Sequence, residues 1–149
     1  MSTTTALSHY SEANVLKALF FNTDFPAALA NTYIALFTTM PAQDGTGGVE
    51  VAGNAYARQT VSGGTHNTGA GAGWTSIVTD ATSSTITNAN DILFPVATPS
   101  GWGTILGIGI YDLVSGGNLI ALGVADSSVA INAGDQYKIA AGNLSINLA

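Results

Sequence analysis

The sequence contains no cysteine and only two histidines, and these absences remove most routes to catalysis. Without cysteine there are no disulfides, no cysteine zinc sites and no thiol nucleophile. His9 and His66 are the available imidazoles, and no Gly-x-Ser-x-Gly turn presents a nucleophilic serine. A triad built in space from His66, a distant Asp and a Ser stays open as the enzyme alternative. We predict no enzyme activity, no catalytic residue and no cofactor.

Metal ligands are also poorly represented in the sequence. No EF-hand loop or His-Glu-x-x-His motif occurs, and the nine acidic residues are well separated. Residues 88–91 (Asn-Ala-Asn-Asp) offer oxygen ligands for calcium, although these residue types are equally typical of turns. We therefore predict no metal site.

Charge is scarce. Charged residues make up 8% of the chain, whereas a typical soluble domain has about 25%. Lys and Arg together number 3 and the net charge is −6, so nucleic acid and anionic membranes are not expected as partners. Mean hydropathy is +0.33. Two interpretations stay open: a surface covered by other subunits, or a neutral Ser/Thr/Asn-rich surface.

The chain has no long apolar run, because none approaches the roughly 18 residues needed to span a bilayer. Its first residues also lack the basic region of a signal peptide. We therefore expect synthesis in a cytoplasm. A length of 149 residues suits one domain covering residues 1–149.

Periodicity divides this domain into three parts. Residues 1–7 are Thr-rich without periodicity and predict an extended N-terminal arm. Residues 8–21 predict an amphipathic helix, since Ser8 suits the N-cap and apolar residues recur at helical spacing; these apolar residues are Ala13, Val15, Leu16, Leu19 and Phe20. Residues 32–148 carry short strand patterns separated by turn residues, which indicates a β-rich body.

Two strands of the body form a hairpin of unusual composition. Over residues 103–125, Ile and Leu alternate with Gly and Ala, so each strand has one bulky and one bare side. A two-residue turn at Gly116 and Gly117 would set Ile110 opposite Gly123 and so place each bulky side chain opposite a small residue. A three-residue turn would place the bulky Ile and Leu side chains of the two strands opposite one another. We favour the two-residue turn, which implies a hairpin buried on both faces.

The aromatic residues have two interpretations. Trp74 and Trp102, with the five tyrosines, could line a sugar-binding surface. The alternative is that the rings fill the core and an interface.

The order of five segments resembles a set of tailed-bacteriophage virion proteins, described as head decoration (cement) or tail-fibre-like proteins. The segments cover nearly the whole chain: TYIALFTTMP (32–41), GGVEVAGNAYARQTV (47–61), ILFPVAT (92–98), GWGTILGIGIYDLVSGGNLIALG (101–123) and INAGDQYKIAAGNLSINL (131–148). For a cement protein, the resemblance implies a mostly β trimer on the outer capsid that bridges major capsid protein subunits.

Together these observations predict an all-β, jelly-roll-like β-sandwich with one short N-terminal α-helix. The expected function is a non-enzymatic virion protein, made in the host cytoplasm, that stabilises the head as a cement protein. A tail or fibre subunit and a carbohydrate-binding module on the virion are the alternatives. A homo-oligomer, with a trimer favoured, and the major capsid protein are the expected partners. The arm could add a strand to a neighbour's sheet. The candidate partner contacts are Thr3, Thr4, Thr5, His66, Trp74 and Trp102.

Overall fold

The computed structural model describes residues 3–24, 29–62 and 73–148. Within these ranges, one helix, α1 (His9–Phe20), accompanies eleven strands. The strands are β1 (Thr3–Leu7), β2 (Asn31–Thr39), β3 (Val49–Glu50), β4 (Gln59–Ser62), β5 (Val78–Thr79), β6 (Ser84–Thr87), β7 (Ile92–Val96), β8 (Gly103–Tyr111), β9 (Leu119–Ile131), β10 (Gln136–Ile139) and β11 (Leu144–Leu148). The predicted all-β class with one N-terminal helix is confirmed.

The strands form two sheets of very different size. Nine strands belong to one sheet in the order β3-β2-β8-β9-β1-β11-β6-β5, with β4 also paired to β2. The remaining strands, β7 and β10, pair with each other. A jelly roll divides its strands more evenly between two layers. Here one layer is a broad sheet and the other a ribbon.

The core lies between the broad sheet and the ribbon. Ile34 and Leu36 on β2 and Ile108 on β8 are fully buried on one face of the broad sheet, in accordance with the strand period of two. Phe94 on β7 and Ile139 on β10 enter the same cluster from the ribbon, and both are fully buried. The ribbon therefore closes the hydrophobic core.

Residues Thr3–Leu7 form a strand inside the chain's own sheet. β1 pairs antiparallel with β9, from Thr3 opposite Ala125 to Leu7 opposite Ala121, and parallel with β11 on its other side. Both hydrogen-bonding edges of β1 are thus occupied. The prediction of a free arm that adds a strand to a neighbour's sheet is wrong for this fold. Contact of Thr3, Thr4 and Thr5 with a partner stays a prediction.

The hairpin of β8 and β9 combines a correct and an incorrect prediction. Ile110 lies opposite Ala121 and Ile108 opposite Gly123, so bulky residues face small ones as expected. The pairing is nevertheless shifted by two residues, because the strands are joined by residues 112–118 rather than by a two-residue turn. A shift of two residues keeps every side chain on its predicted face.

The face of the hairpin opposite the core is partly covered by the chain itself. Phe37 is 3% and Leu119 is 6% exposed there, close to Gly109. The loop of residues 40–48 lies over this region, and its Gln43 carbonyl accepts the His9 backbone N–H. Farther along β9, Val124 is 60% exposed. Burial on both faces therefore holds only for the half of the hairpin near its turn.

Candidate interaction surface

Two serines fix the start of α1 against β9. The Ser8 hydroxyl accepts the Ser11 backbone N–H as the helix N-cap and donates to the Leu119 carbonyl. The Ser11 hydroxyl donates to the Ile120 carbonyl at 2.8 Å. Both serines are buried. These long-range bonds determine which side of the helix is turned towards the sheet.

The inward side of α1 is formed by small and polar residues. Ser11, Asn14, Val15 and Ala18 follow the 3,4 spacing of one helix face and are buried or half-buried. Their side chains are short, so the helix buries little apolar area against the sheet. The helix depends for its position on the Ser8 and Ser11 hydrogen bonds as well as on packing.

The outward side of α1 and its end are apolar. Leu16 is 53%, Leu19 69%, Phe20 73% and Phe21 74% exposed, and Ala13 is exposed on the same side. We call these five residues the apolar helix face. The sequence predicted the helix and its apolar stripe correctly, and the structure places most of this stripe away from the chain's own core. Half-buried Val15 is the member that turns inward.

A second cluster is polar and surrounds Arg58. Its Nε and Nη2 atoms donate to the two oxygens of Glu50 at 2.8 and 2.7 Å. Its Nη1 atom donates to the carbonyls of Leu113 and Gly116 in the link between β8 and β9. The guanidinium also lies 3.8 Å from the ring centre of Tyr111. Arg58 thus joins three parts of the chain.

The same cluster is unsuited to acid–base catalysis. Tyr56 donates to Glu50 Oε1 at 3.0 Å and accepts the Leu36 backbone N–H at 2.9 Å. Burial raises the pKa of Tyr56 far above its ordinary value and keeps the hydroxyl protonated. Glu50 is held by Arg58. No histidine or serine nucleophile takes part in these contacts, so the arrangement is a structural cross-link.

Two surface grooves have the size of a small-ligand site. One, of about 290 Å³, lies between the start of α1, residues 43–45 and Tyr111. The other, of about 410 Å³, lies between β4 and β7 and includes Asp91. Ser8, His9 and Asp44 all line the first groove, but the Ser8 hydroxyl is bound to the Leu119 carbonyl and the Ser11 backbone N–H as the helix cap, which does not suit a nucleophile. In the part of the chain that the structure describes, no three His, Asp or Glu side chains are grouped as metal ligands, and no helix has the length and apolarity to cross a membrane.

Both predicted tryptophan contacts are inside the protein. Trp74 is 8% exposed and its indole N–H donates to the Thr32 hydroxyl at 3.1 Å. Trp102 is 6% exposed and donates to the Asn54 carbonyl at 2.9 Å. Buried rings cannot stack on a sugar or contact a partner, so this prediction is wrong for both residues. His66 lies outside the described residues.

Asn88, one of the possible calcium ligands in the sequence, binds three backbone groups through its side chain. It is 1% exposed, and its side-chain oxygen accepts the Leu144 backbone N–H at 2.8 Å. Its amide group donates to the carbonyls of Asn90 and Ala140 at 2.8 and 2.9 Å. Asp91 is likewise bound, to Lys138 and the Ala141 N–H. These contacts use the polar atoms that a metal ion would need.

An all-β chain with few charges and an exposed apolar helix face fits the virion structural class expected from the sequence. The comparison with protein families agrees, and it identifies a structural protein of a tailed-phage virion. The family described as podophage GP4 fiber I protein gp80 matches residues 6–147. The chain belongs to this family. Among curated proteins, no match was found.

Proposed function

We propose that the chain is a subunit of a podophage fibre and that it acts without enzyme activity. The observation that carries this proposal is the fiber I family match over residues 6–147. The virion class expected from the sequence is thereby confirmed. The match favours the fibre alternative over the head-decoration function that we first expected, and it gives no support to a capsid cement role.

The fold offers a physical basis for such a role. Six of the nine strands in the broad sheet have at least two neighbours, and the Arg58 cluster ties the link between β8 and β9 to Glu50 of β3. A surface with few charges forms contacts with other subunits at low desolvation cost. The role we infer for the chain is therefore cohesion between subunits.

Labelled virions test the fibre role directly. Fab fragments raised against the purified protein, conjugated to gold, are bound to virions of the phage that encodes the chain. Negative-stain electron microscopy then locates the gold. We expect label on fibres, and label distributed over the whole head surface would overturn the proposal in favour of head decoration.

Two further measurements complete this experiment. Prior incubation of the Fab with soluble protein must abolish the label, which establishes that binding is specific. Quantitative mass spectrometry of the virions should give a copy number in proportion to the other fibre components. A copy number that follows the major capsid protein would instead identify a head protein.

A further inference from the structure

The large apolar residues of α1 lie on the side away from the sheet, where they contribute little to the core of this chain. The inward residues Ser11 and Ala18 are small, whereas Leu16 and Phe20 point to solvent. A surface helix of a single domain ordinarily turns its apolar stripe to the core. The stripe on α1 therefore suits a partner outside this chain.

We propose that the apolar helix face is the site at which a second copy of this chain docks, with α1 packed against α1. This inference rests on the proposed fibre role for its place in the virion. The contact itself is a property of the isolated protein and is argued below from area, shape and charge.

The exposed area is sufficient for a specific contact. Leu16, Leu19, Phe20 and Phe21 are each 53–74% exposed and lie within six residues. Together they present on the order of 500 Å² of apolar area, which is near the upper end for patches on monomers. Two copies would bury on the order of 1,000 Å², about the minimum for a specific interface.

The shape of the face is self-complementary. Ala13 and Phe20 lie seven residues apart on the same side of α1. Antiparallel pairing about a two-fold axis near Leu16 and Lys17 brings Phe20 of each copy opposite Ala13 of the other. A large side chain thus meets the space beside a small one, and symmetry makes this contact twice.

Charge also permits the contact. Glu12 lies one turn before Leu16, at the end of the face, and Lys17 lies at its side. Lys17 lies between Leu16 and Phe20 at the edge of the outward side and is exposed. Near the two-fold axis its long stem can pack on the apolar residues while its ammonium group stays in water, so docking does not require burial of the charge. Elsewhere in the described ranges, Ile77 and Val78 are also exposed, but these two neighbours carry less apolar area than the four large residues of the apolar helix face. α1 is therefore the stronger site for self-association.

Light scattering on a sizing column tests the proposal with the full chain. The native protein should have a mass that is a multiple of 15.0 kDa. Leu16→Glu and Phe20→Glu should each raise the dissociation constant about 100-fold or more and shift the mass towards the monomer. The matched control is Ile77→Glu, which alters a 71% exposed residue outside the face and should leave the mass unchanged.

Circular dichroism and thermal unfolding of each variant establish that the fold is retained. A native protein that is monomeric at its highest soluble concentration would overturn the proposal. So would an oligomer that persists in both Glu variants, because the contact would then lie elsewhere.

A second experiment uses the absence of cysteine in the chain. Under mild oxidation Leu16→Cys should form disulfide-linked pairs, whereas Ile77→Cys should associate without a disulfide link and run as a single chain on a denaturing, non-reducing gel. The opposite pattern would overturn the proposal.

Gold on fibres together with a monomeric protein would reject the α1 contact and leave the proposed fibre role unchanged. An oligomer that depends on α1, together with gold over the head, would support this contact and reject the fibre role.

Discussion

The guanidinium of Arg58 meets the carboxylate of Glu50 in a two-bond ion pair, with N–O distances of 2.8 and 2.7 Å. The Arg58 side chain is 7% exposed and that of Glu50 is 27% exposed. Water is thus largely excluded from the cation, and the pair anchors the link between β8 and β9 through two backbone carbonyls. One of the three Lys and Arg residues of the chain is thus largely buried in an ion pair.

Removal of this cation should be costly. We expect Arg58→Ala to lower the free energy of unfolding by about 3 kcal/mol, because Glu50 loses its partner in a partly buried site. Urea unfolding measures the change. The control is Lys138→Ala, which breaks the pair with Asp91, where both side chains are 51% exposed, and should cost less than about 1 kcal/mol. Equal losses in the two variants would contradict the structural role of Arg58.

Asn88 should be equally sensitive, for a different reason. In Asn88→Ala the buried Leu144 N–H and the Asn90 carbonyl lose their side-chain partner, and the Ala140 carbonyl keeps only the Asn143 N–H. We expect a loss of about 3 kcal/mol in urea unfolding, since each buried unpaired polar group costs about 1–3 kcal/mol. Asn132→Ala, at an exposed turn, should change stability by less than about 0.5 kcal/mol. A stable Asn88→Ala protein would show that water replaces these bonds.

The hairpin should tolerate no side chain at Gly107. A Cβ atom there would collide with the Gly123 carbonyl oxygen and lie 2.7 Å from the Met40 sulfur. Because the backbone of β9 cannot move aside easily, we expect Gly107→Ala to cost at least about 2 kcal/mol. Thermal unfolding compares it with Thr104→Ala, an exposed change on the same strand that should cost less than about 1 kcal/mol. Similar melting temperatures would argue against this register.

Acid should weaken the contact between β7 and the end of β10. The Ala141 N–H and Lys138 hold the pKa of Asp91 below its ordinary value of 3.8. A carboxyl whose pKa is lower in the folded state contributes stability above its unfolded pKa and loses it as pH falls through the folded pKa. We therefore expect stability to decline below about pH 4, and to decline less in Asp91→Asn. Urea midpoints measured over this pH range provide the comparison, and identical pH profiles would reject this role for Asp91.

Local signals explain the parts of the fold that the sequence predicted. Ser8 caps α1 and Phe21 ends it, within the predicted residues 8–21, because capping depends on a few adjacent residues. Pro95 removes a backbone donor from β7, in agreement with the register shift in its pairing with β10 between Gln136 and Lys138.

Non-local contacts explain the parts that the sequence missed. The link of residues 112–118 is closed by Asp112, whose carboxylate accepts the Asn118 N–H at 2.7 Å, and Gly116 and Gly117 lie within it at positive φ. The Arg58 cluster was not predicted, since its members come from strands and loops that only the fold brings together. The sequence around Trp74 and Trp102 does not indicate whether their rings are buried.

The sequence by itself determined the class of protein: a charge-poor, cysteine-free, β-rich chain with one capped helix, because composition, period and capping act locally. The tertiary structure alone decided what each pattern faces. A helical period separates an apolar side from a polar side, but it does not say which side meets the sheet. In α1 that choice follows from the Ser8 and Ser11 hydroxyls, which bind carbonyls of β9 and so turn Leu16 and Phe20 outward.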